Sequence, residues 1–121
     1  MTALIKALIP LLIQIESGGD HLAIGDNGRA VGLLQIHKCV VDDVNQFYNT
    51  NYTYNDRYDP VSSKEMALLY LSYWGDRYTK KTSKEPTIEI LVKCWNGGPN
   101  GYMKKSTEAY WEKFLRAREG E

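Results

Sequence analysis

An apolar segment near the N-terminus, residues 4–15, sets the first limit on the fold. Large aliphatic side chains recur in it at helical spacing, at Leu4, Leu8, Leu11, Leu12 and Ile15. This pattern predicts a helix that buries one face, and the Gly18-Gly19 pair supplies the backbone conformations that end it. The segment is shorter than the roughly 20 apolar residues that span a bilayer. A small-residue cleavage site does not follow it, so we expect a core helix rather than a membrane anchor or a signal peptide.

The charge balance narrows the classes of partner. The 121 residues include 15 Lys or Arg and 15 Asp or Glu, which gives a net charge of zero. Each phosphate contact needs a cationic side chain, so we do not expect nucleic acid or an anionic membrane surface as the main partner. Cys39 and Cys94 are too few for a disulfide framework and make no metal-binding pair with the histidines. We expect one domain over residues 1–121, without metal or cofactor, and leave open whether the two cysteines form a disulfide.

The remaining patterns predict a mainly α fold. Further helices are expected to begin near residues 40, 60, 86 and 106, where Asp, Pro, Ser and Thr supply starting signals. The last helix is expected to turn Ala109, Tyr110 and Phe114 inward. Residues 18–30 are rich in Gly, Asp and Asn, so strand content is expected to be confined to a minor hairpin near residues 20–30. Residues 46–59 lack a helical period and are expected to form an ordered surface loop.

Glu16 has an unusual local setting among the ionisable residues. It closes an apolar helix, next to Ile13 and Ile15 and at the negative end of the helix dipole. Both features disfavour the charged carboxylate and should raise its pKa, so the group could act as a general acid. The alternative, on position alone, is an exposed residue at a frayed helix end.

Four motifs follow one another along the chain: Glu16-Ser17-Gly18-Gly19, Gly32-Leu33-Leu34-Gln35-Ile36, Trp95-Asn96-Gly97-Gly98-Pro99 and Tyr110. In this order they resemble the motifs of SLT-type lytic transglycosylases of the lysozyme-like superfamily, over residues 9 to about 114. Goose-type lysozymes are similar through the first two motifs. The resemblance implies a mainly α (α+β lysozyme-like) domain with helices around a glycan-binding cleft. The sequence departs from the family pattern at Leu34, where Met is usual, and at Cys94-Trp95, where Ala-Tyr is usual.

The resemblance also implies a role for each motif. Glu16 would be the catalytic acid and base, Asn96 would hydrogen-bond the sugar, and Tyr110 would direct its hydroxyl at Glu16. The residues that the resemblance assigns to substrate binding are Ser17, Leu34, Gln35, Asn96, Gly97 and Tyr110. Trp95 either packs in the core or stacks on a sugar, and we favour the core.

A second carboxylate would decide the reaction type. Glycosidases ordinarily use two carboxylates, whereas lytic transglycosylases use one because the substrate supplies its own acetamido group and 6-hydroxyl. Asp26 matches an Asp of goose-type lysozymes that supports attack by water, and from composition alone it is a turn residue. Hydrolysis with Asp26 assisting therefore stays open.

The predicted function is cleavage of the β-1,4 bond between N-acetylmuramic acid and N-acetylglucosamine in peptidoglycan. We expect a lytic transglycosylase that forms 1,6-anhydro ends. The alternatives are a lysozyme-type muramidase and a non-catalytic glycan-binding or structural relative. The expected partner is the peptidoglycan glycan strand, bound by a monomer that acts on the bacterial cell wall, in the periplasm or outside the cell. Small size and the lack of an evident leader favour delivery by other means, as in a bacteriophage endolysin.

Overall fold

Helices dominate the computed structural model, which describes residues 1–120. In this part of the chain there are five α-helices and one two-stranded antiparallel sheet, and 71% of the structure is helical. The elements are α1 (Thr2–Glu16), β1 (Ile24–Gly25), β2 (Ala30–Val31), α2 (Lys38–Tyr48), α3 (Pro60–Thr82), α4 (Ile88–Gly97) and α5 (Glu108–Glu119). Short 3₁₀ turns lie at 26–28, 54–58, 101–103 and 105–107. The predicted mainly α fold with a minor hairpin is confirmed.

The N-terminal helix α1 lies at the centre of the fold. It contacts α3, α4 and α5, and its buried face includes Ile5, Leu8 and Leu12. The core around it is completed from every other helix and from the segment after β2, mainly by Leu34, Ile36, Val41, Val44, Met66, Leu71, Leu91, Val92 and Phe114. Burying these side chains is the main favourable contribution to folding. None of the helices within residues 1–120 combines the length and apolar character needed to cross a membrane.

Two expectations about local structure were wrong. Helix α2 begins at Lys38, close to the predicted start, but it runs to Tyr48 and so enters the segment that was expected to be a loop. Residues 54–58 also form a 3₁₀ turn, which begins with a capping box between Thr53 and Asp56. Much of segment 46–59 is therefore helical. Ala109 is exposed rather than inward-facing, since Phe114 is the side chain through which α5 enters the core.

The hairpin forms one wall of a cleft at the C-terminal end of α1. Strands β1 and β2 pair Ile24 with Val31 and Gly25 with Ala30, and Val31 pairs further with Ile36. The turn between the strands holds Asp26 at a φ of 49°. Such left-handed conformations suit Asp and Asn in turns.

Arg57 anchors this hairpin to the helical part of the molecule. Its side chain is buried, and Nη1 donates to the carbonyls of Ile36 (3.0 Å) and Arg29 (3.3 Å). The backbone of Gly32 packs directly on the carbonyl of Arg57, so closely that a Cβ atom at position 32 would lie 1.9 Å from that oxygen. Gly32 also has a φ of +85°. The position therefore requires glycine for both space and backbone conformation.

Lys93 joins α4 to α5. Its side chain is buried, and Nζ donates to Glu89 Oε2 (2.6 Å) and to Glu108 Oε1 (2.8 Å). A buried ammonium group is costly unless it is paired. The two carboxylates supply that pairing, and the contact holds the start of α5 beside α4.

We predict that Gly32→Ala lowers the free energy of unfolding by about 3 kcal/mol or more, because the new methyl group must displace the Arg57 backbone. Gly28→Ala is the matched control. Gly28 has a similar φ of +87°, but a Cβ there would meet nothing within 4 Å. The control should lose only the cost of the left-handed conformation, about 1–2 kcal/mol. Urea denaturation of the three proteins measures both values, and equal losses would contradict the packing explanation.

Candidate active site

The Glu16 carboxyl lies at the C-terminal end of α1, where two hydrogen-bond donors converge on one of its oxygens. The indole Nε1 of Trp95 donates to Oε2 at 3.1 Å, and the hydroxyl of Tyr110 donates to the same atom at 2.9 Å. Within residues 1–120, no protein hydrogen bond is made to Oε1. The carboxyl group is thus held by one oxygen while the other remains available to a ligand.

Burial of this carboxyl raises the pKa of Glu16. Desolvation disfavours the carboxylate, whereas the hydrogen bonds from Tyr110 and Trp95 and the charge of Lys113 stabilise it and oppose part of the rise in pKa. The predicted direction is confirmed, and the dominant physical cause is burial. A carboxyl group with a raised pKa retains its proton at higher pH, as a general acid requires.

Tyr110 remains a donor because its own pKa is far above the ordinary range. Burial raises this pKa most, and the adjacent Glu16 charge and hydrogen bond raise it further. The side chain is positioned by the start of α5. There the buried hydroxyl of Thr107 lies 2.8 Å from the carbonyl oxygens of both Gly101 and Lys104, and the proton that it shares between them fixes the turn before the helix.

Glu16 opens into a cleft of about 490 Å³. Side chains from α1, α2, α3, α4, α5 and the hairpin segment all contribute to its walls. The lining residues are Ile15, Glu16, Asp26, Ala30, Gln35, Ile36, His37, Cys39, Val40, Tyr70, Trp95, Asn96, Gly98 and Lys113. Its surface is mixed polar and apolar, which suits a ligand with many hydroxyl groups.

Asp26 lies in the same cleft, on the hairpin wall. Its Oδ1 accepts from Arg29 Nη2 at 3.1 Å, and its Oδ2 lies 3.3 Å from His37 Nε2. The Asp26 side chain is 47% exposed, in contrast to the largely enclosed carboxyl of Glu16. The two carboxyl groups that the sequence singled out therefore share one cavity in different environments.

A family model, the transglycosylase SLT domain, matches residues 1–116. This match covers nearly the whole chain. The chain belongs to the transglycosylase SLT domain family. Members of the family are peptidoglycan lytic transglycosylases, enzymes that cleave glycosidic bonds. No curated protein matches the chain.

Four of the sequence-predicted residues of this SLT domain line the cleft: Glu16, Asp26, Gln35 and Asn96. Gln35 has a φ of 50°, and its Nε2 donates to the carbonyls of Ala23 (3.1 Å) and Gly32 (3.0 Å). Its amide oxygen is thus the part of the side chain left for a ligand. Asn96 is exposed at the last turn of α4. Tyr110 contacts the site through the hydrogen bond that its hydroxyl donates to Glu16, as predicted.

Three further predicted residues lie outside the cleft lining. The hydroxyl of Ser17 donates to the carbonyl of Leu33 at 2.7 Å, so this side chain joins the end of α1 to the hairpin wall. Leu34 is fully buried in the core. Gly97 packs against Thr107, where a Cβ would lie 2.6 Å from a methyl carbon, and its carbonyl accepts from Lys104 Nζ at 2.7 Å. These contacts place all three as supports of the cleft walls.

Sequence reasoning missed the second donor to Glu16 and two residues of the cleft lining. Trp95 is half-buried and packs edge-on against Tyr70, at 5.8 Å between ring centroids, so its ring packs as predicted. The prediction did not include the hydrogen bond from its indole N–H to Glu16. Lys113 lies one helical turn after Tyr110 and on the same face of α5, so this spacing could have identified it as a cleft residue. Tyr70 carries a hydroxyl whose pKa is raised by burial to about 12.

The two cysteines lie in different environments. Cys39 and Cys94 are both free, the first exposed beside the cleft and the second buried in the core. Across residues 1–120, no group of three or more His, Cys, Asp or Glu side chains is arranged to hold a metal ion.

We predict that Tyr110→Phe raises the pKa of Glu16 further, because it removes a donor that stabilises the carboxylate. Trp95→Phe should act in the same direction. Activity that requires protonated Glu16 falls as pH rises through this pKa, so its alkaline limb should move to higher pH in both variants. Carbon-detected NMR titration of the Glu16 carboxyl measures the shift.

Tyr54→Phe is the matched control for this titration. Its hydroxyl donates to Asp42 Oδ1 at 2.8 Å, outside the cleft. The pKa of Glu16 should therefore be the same in this variant as in the unmodified protein. An unchanged or lowered pKa in Tyr110→Phe would show that the hydroxyl does not stabilise the carboxylate.

Proposed function

We propose that this SLT domain is a peptidoglycan lytic transglycosylase with Glu16 as its general acid and base. The bond cleaved is the β-1,4 bond between N-acetylmuramic acid and N-acetylglucosamine. The observation that carries the proposal is the Glu16 carboxyl, largely buried and bonded through Oε2 to Trp95 and Tyr110, with Oε1 left for a ligand. The family assignment supplies the substrate class.

In the first step Glu16 gives its proton to the glycosidic oxygen as the bond between that oxygen and C1 of the muramic sugar breaks. The leaving strand departs with a hydroxyl group, and positive charge develops at C1 in an oxocarbenium-like transition state. The carboxylate that remains is stabilised by the two donors to Oε2. The substrate's own acetamido group stabilises the charge at C1.

In the second step the 6-hydroxyl of the same sugar forms a bond to C1, and its proton passes to Glu16. This closes the 1,6-anhydro ring and returns Glu16 to its acid form, without consuming water. The amide oxygen of Gln35 and the side-chain amide of Asn96 are suited to hold the sugar hydroxyl and acetamido groups during both steps. Ser17 acts as a positioning residue, through the Leu33 carbonyl.

Hydrolysis is the second candidate, because Asp26 lines the same cleft as Glu16. In this reaction Asp26 would orient a water molecule that attacks C1, and the product would be a reducing sugar. The enzyme would then be a lysozyme-type muramidase. Both candidate reactions take place on the cell wall, in the periplasm or outside the cell, and we propose that the chain acts there as a monomer.

We predict that Glu16→Gln lowers cleavage of purified peptidoglycan by about a thousandfold, because the amide cannot donate the proton. Gln keeps the shape of the side chain and an oxygen that accepts from Trp95 and Tyr110, so the fold should persist. Mass spectrometry of the products from the unmodified protein should show anhydro ends, which lack the elements of water that hydrolysis adds. Glu119→Gln, an exposed change on α5, is the control. Glycan binding by the unmodified protein without turnover would indicate a non-catalytic relative.

The role of Asp26 is tested by Asp26→Asn. In a transglycosylase we expect the variant to keep anhydro-product formation within about threefold, because the substrate's own groups carry the second step. Asp76→Asn, an exposed change outside the cleft, is the matched control. Reducing-end products that fall by about a hundredfold in Asp26→Asn alone would instead assign hydrolysis.

A further inference from the structure

A second cavity, which we call the basic pocket, adjoins the cleft. It has a volume of about 580 Å³ and is lined by Trp74, Arg77, Tyr78, Lys80, Lys81, Pro99, Asn100 and Tyr102. Gly98 lines the cleft, and the next two residues of the chain line the basic pocket. The two cavities therefore meet at the turn that follows α4.

The basic pocket concentrates positive charge in a chain of zero net charge. Arg77, Lys80 and Lys81 are exposed on the C-terminal half of α3. Across residues 1–120, the ion pairs involve other side chains, and the lining of this pocket includes no Asp or Glu. Asp76 precedes Arg77 on the same helix but does not line the pocket and pairs with none of the three cations. Three cations free of ion pairs form a site suited to an anionic ligand.

Three aromatic side chains also line the basic pocket. Tyr78 and Tyr102 pack edge to face, with ring centroids 5.1 Å apart, and Trp74 lies one turn earlier on α3 than Tyr78. Such rings contact the aliphatic parts of a ligand while the cations bind its charged ends. This combination suits a short acidic peptide better than an inorganic ion.

A continuous line of aromatic contacts connects the basic pocket to Glu16. Trp95, which donates to Glu16, packs edge-on against Tyr70, and Tyr70 packs edge-on against Trp74 at 6.2 Å between ring centroids. Tyr70 lines the cleft and Trp74 lines the pocket. The basic pocket is therefore the cavity that a group branching on this side from a glycan in the cleft would meet.

We propose that the basic pocket binds the carboxylates of the peptide that branches from the glycan strand in the cleft. This inference rests on the proposed function, which places a peptidoglycan strand beside Glu16. Peptides of peptidoglycan end in free carboxylates, and a guanidinium group with neighbouring ammonium groups recognises carboxylates through charge-assisted hydrogen bonds.

Binding is tested in Glu16→Gln protein, so that the ligand is not consumed. Soluble glycan fragments of equal length, with peptides and with the peptides removed by amidase, are compared by calorimetry. Adding Arg77→Gln and Lys81→Gln should weaken binding of the peptide-bearing fragment by about tenfold and leave the bare fragment unchanged. Arg77→Lys with Lys81→Arg keeps the charge and should retain most of the affinity. Lys6→Gln with Lys64→Gln removes the same charge outside both cavities and should change neither affinity.

The remaining outcomes separate a wrong pocket assignment, binding of a phosphate polymer and a wrong proposed function. Equal losses on both fragments, or equal affinity of the parent protein for both, would overturn the assignment. Tight binding of poly(glycerol phosphate) with no preference for peptide-bearing glycan would assign the pocket to a phosphate polymer instead. If protein with Glu16 intact cleaves neither fragment while the peptide preference and its loss persist, the proposed function fails and the pocket assignment stands.

Discussion

Three helices meet at a single oxygen atom, Oε2 of Glu16, and the geometry of the cleft depends on that meeting. The donors are Trp95 and Tyr110, which lie 79 and 94 residues further along the chain. A buried carboxyl without partners would carry a large desolvation cost, and hydrogen bonds to a charged group offset about 1.5–3 kcal/mol each. These bonds form only when α1, α4 and α5 pack on one core. The fold therefore determines both the position of the acid and the protonation state that it favours.

The opposite wall of the cleft is held by a different set of contacts. Only four residues form its strands, too few for an independent hairpin to be stable. Its stability comes from the buried guanidinium of Arg57 and from Ser17 bonded to the Leu33 carbonyl, both outside the hairpin, and from the Gln35 amide within the segment. Neighbouring residues of one motif thus serve the two sides of the site. Glu16 supplies the acid, and Ser17 ties the wall that faces it.

The sequence predicted those parts of the fold in which one physical signal dominates. Helix α1 follows from its apolar period and its terminal glycines, and the contact of Tyr110 with Glu16 follows from the family resemblance. The end of α2 and the 54–58 turn were not predicted, because Asn49 in a left-handed conformation and the Thr53–Asp56 box depend on local geometry that composition does not show. The indole contact of Trp95 was not predicted either. Its direction is fixed by how α4 packs on α1, which no local pattern contains.

The surroundings of Asp26 support the proposal of an anhydro product over a hydrolytic one. A group that orients attacking water needs an oxygen free to accept a hydrogen bond from that water. In Asp26 one oxygen accepts from Arg29 and the other lies 3.3 Å from His37 Nε2, so an attacking water would compete with these neighbours for the carboxylate. Glu16, by contrast, keeps Oε1 for the ligand. In the proposed transglycosylase the attacking hydroxyl therefore comes from the substrate, and the second step requires no contribution from Asp26.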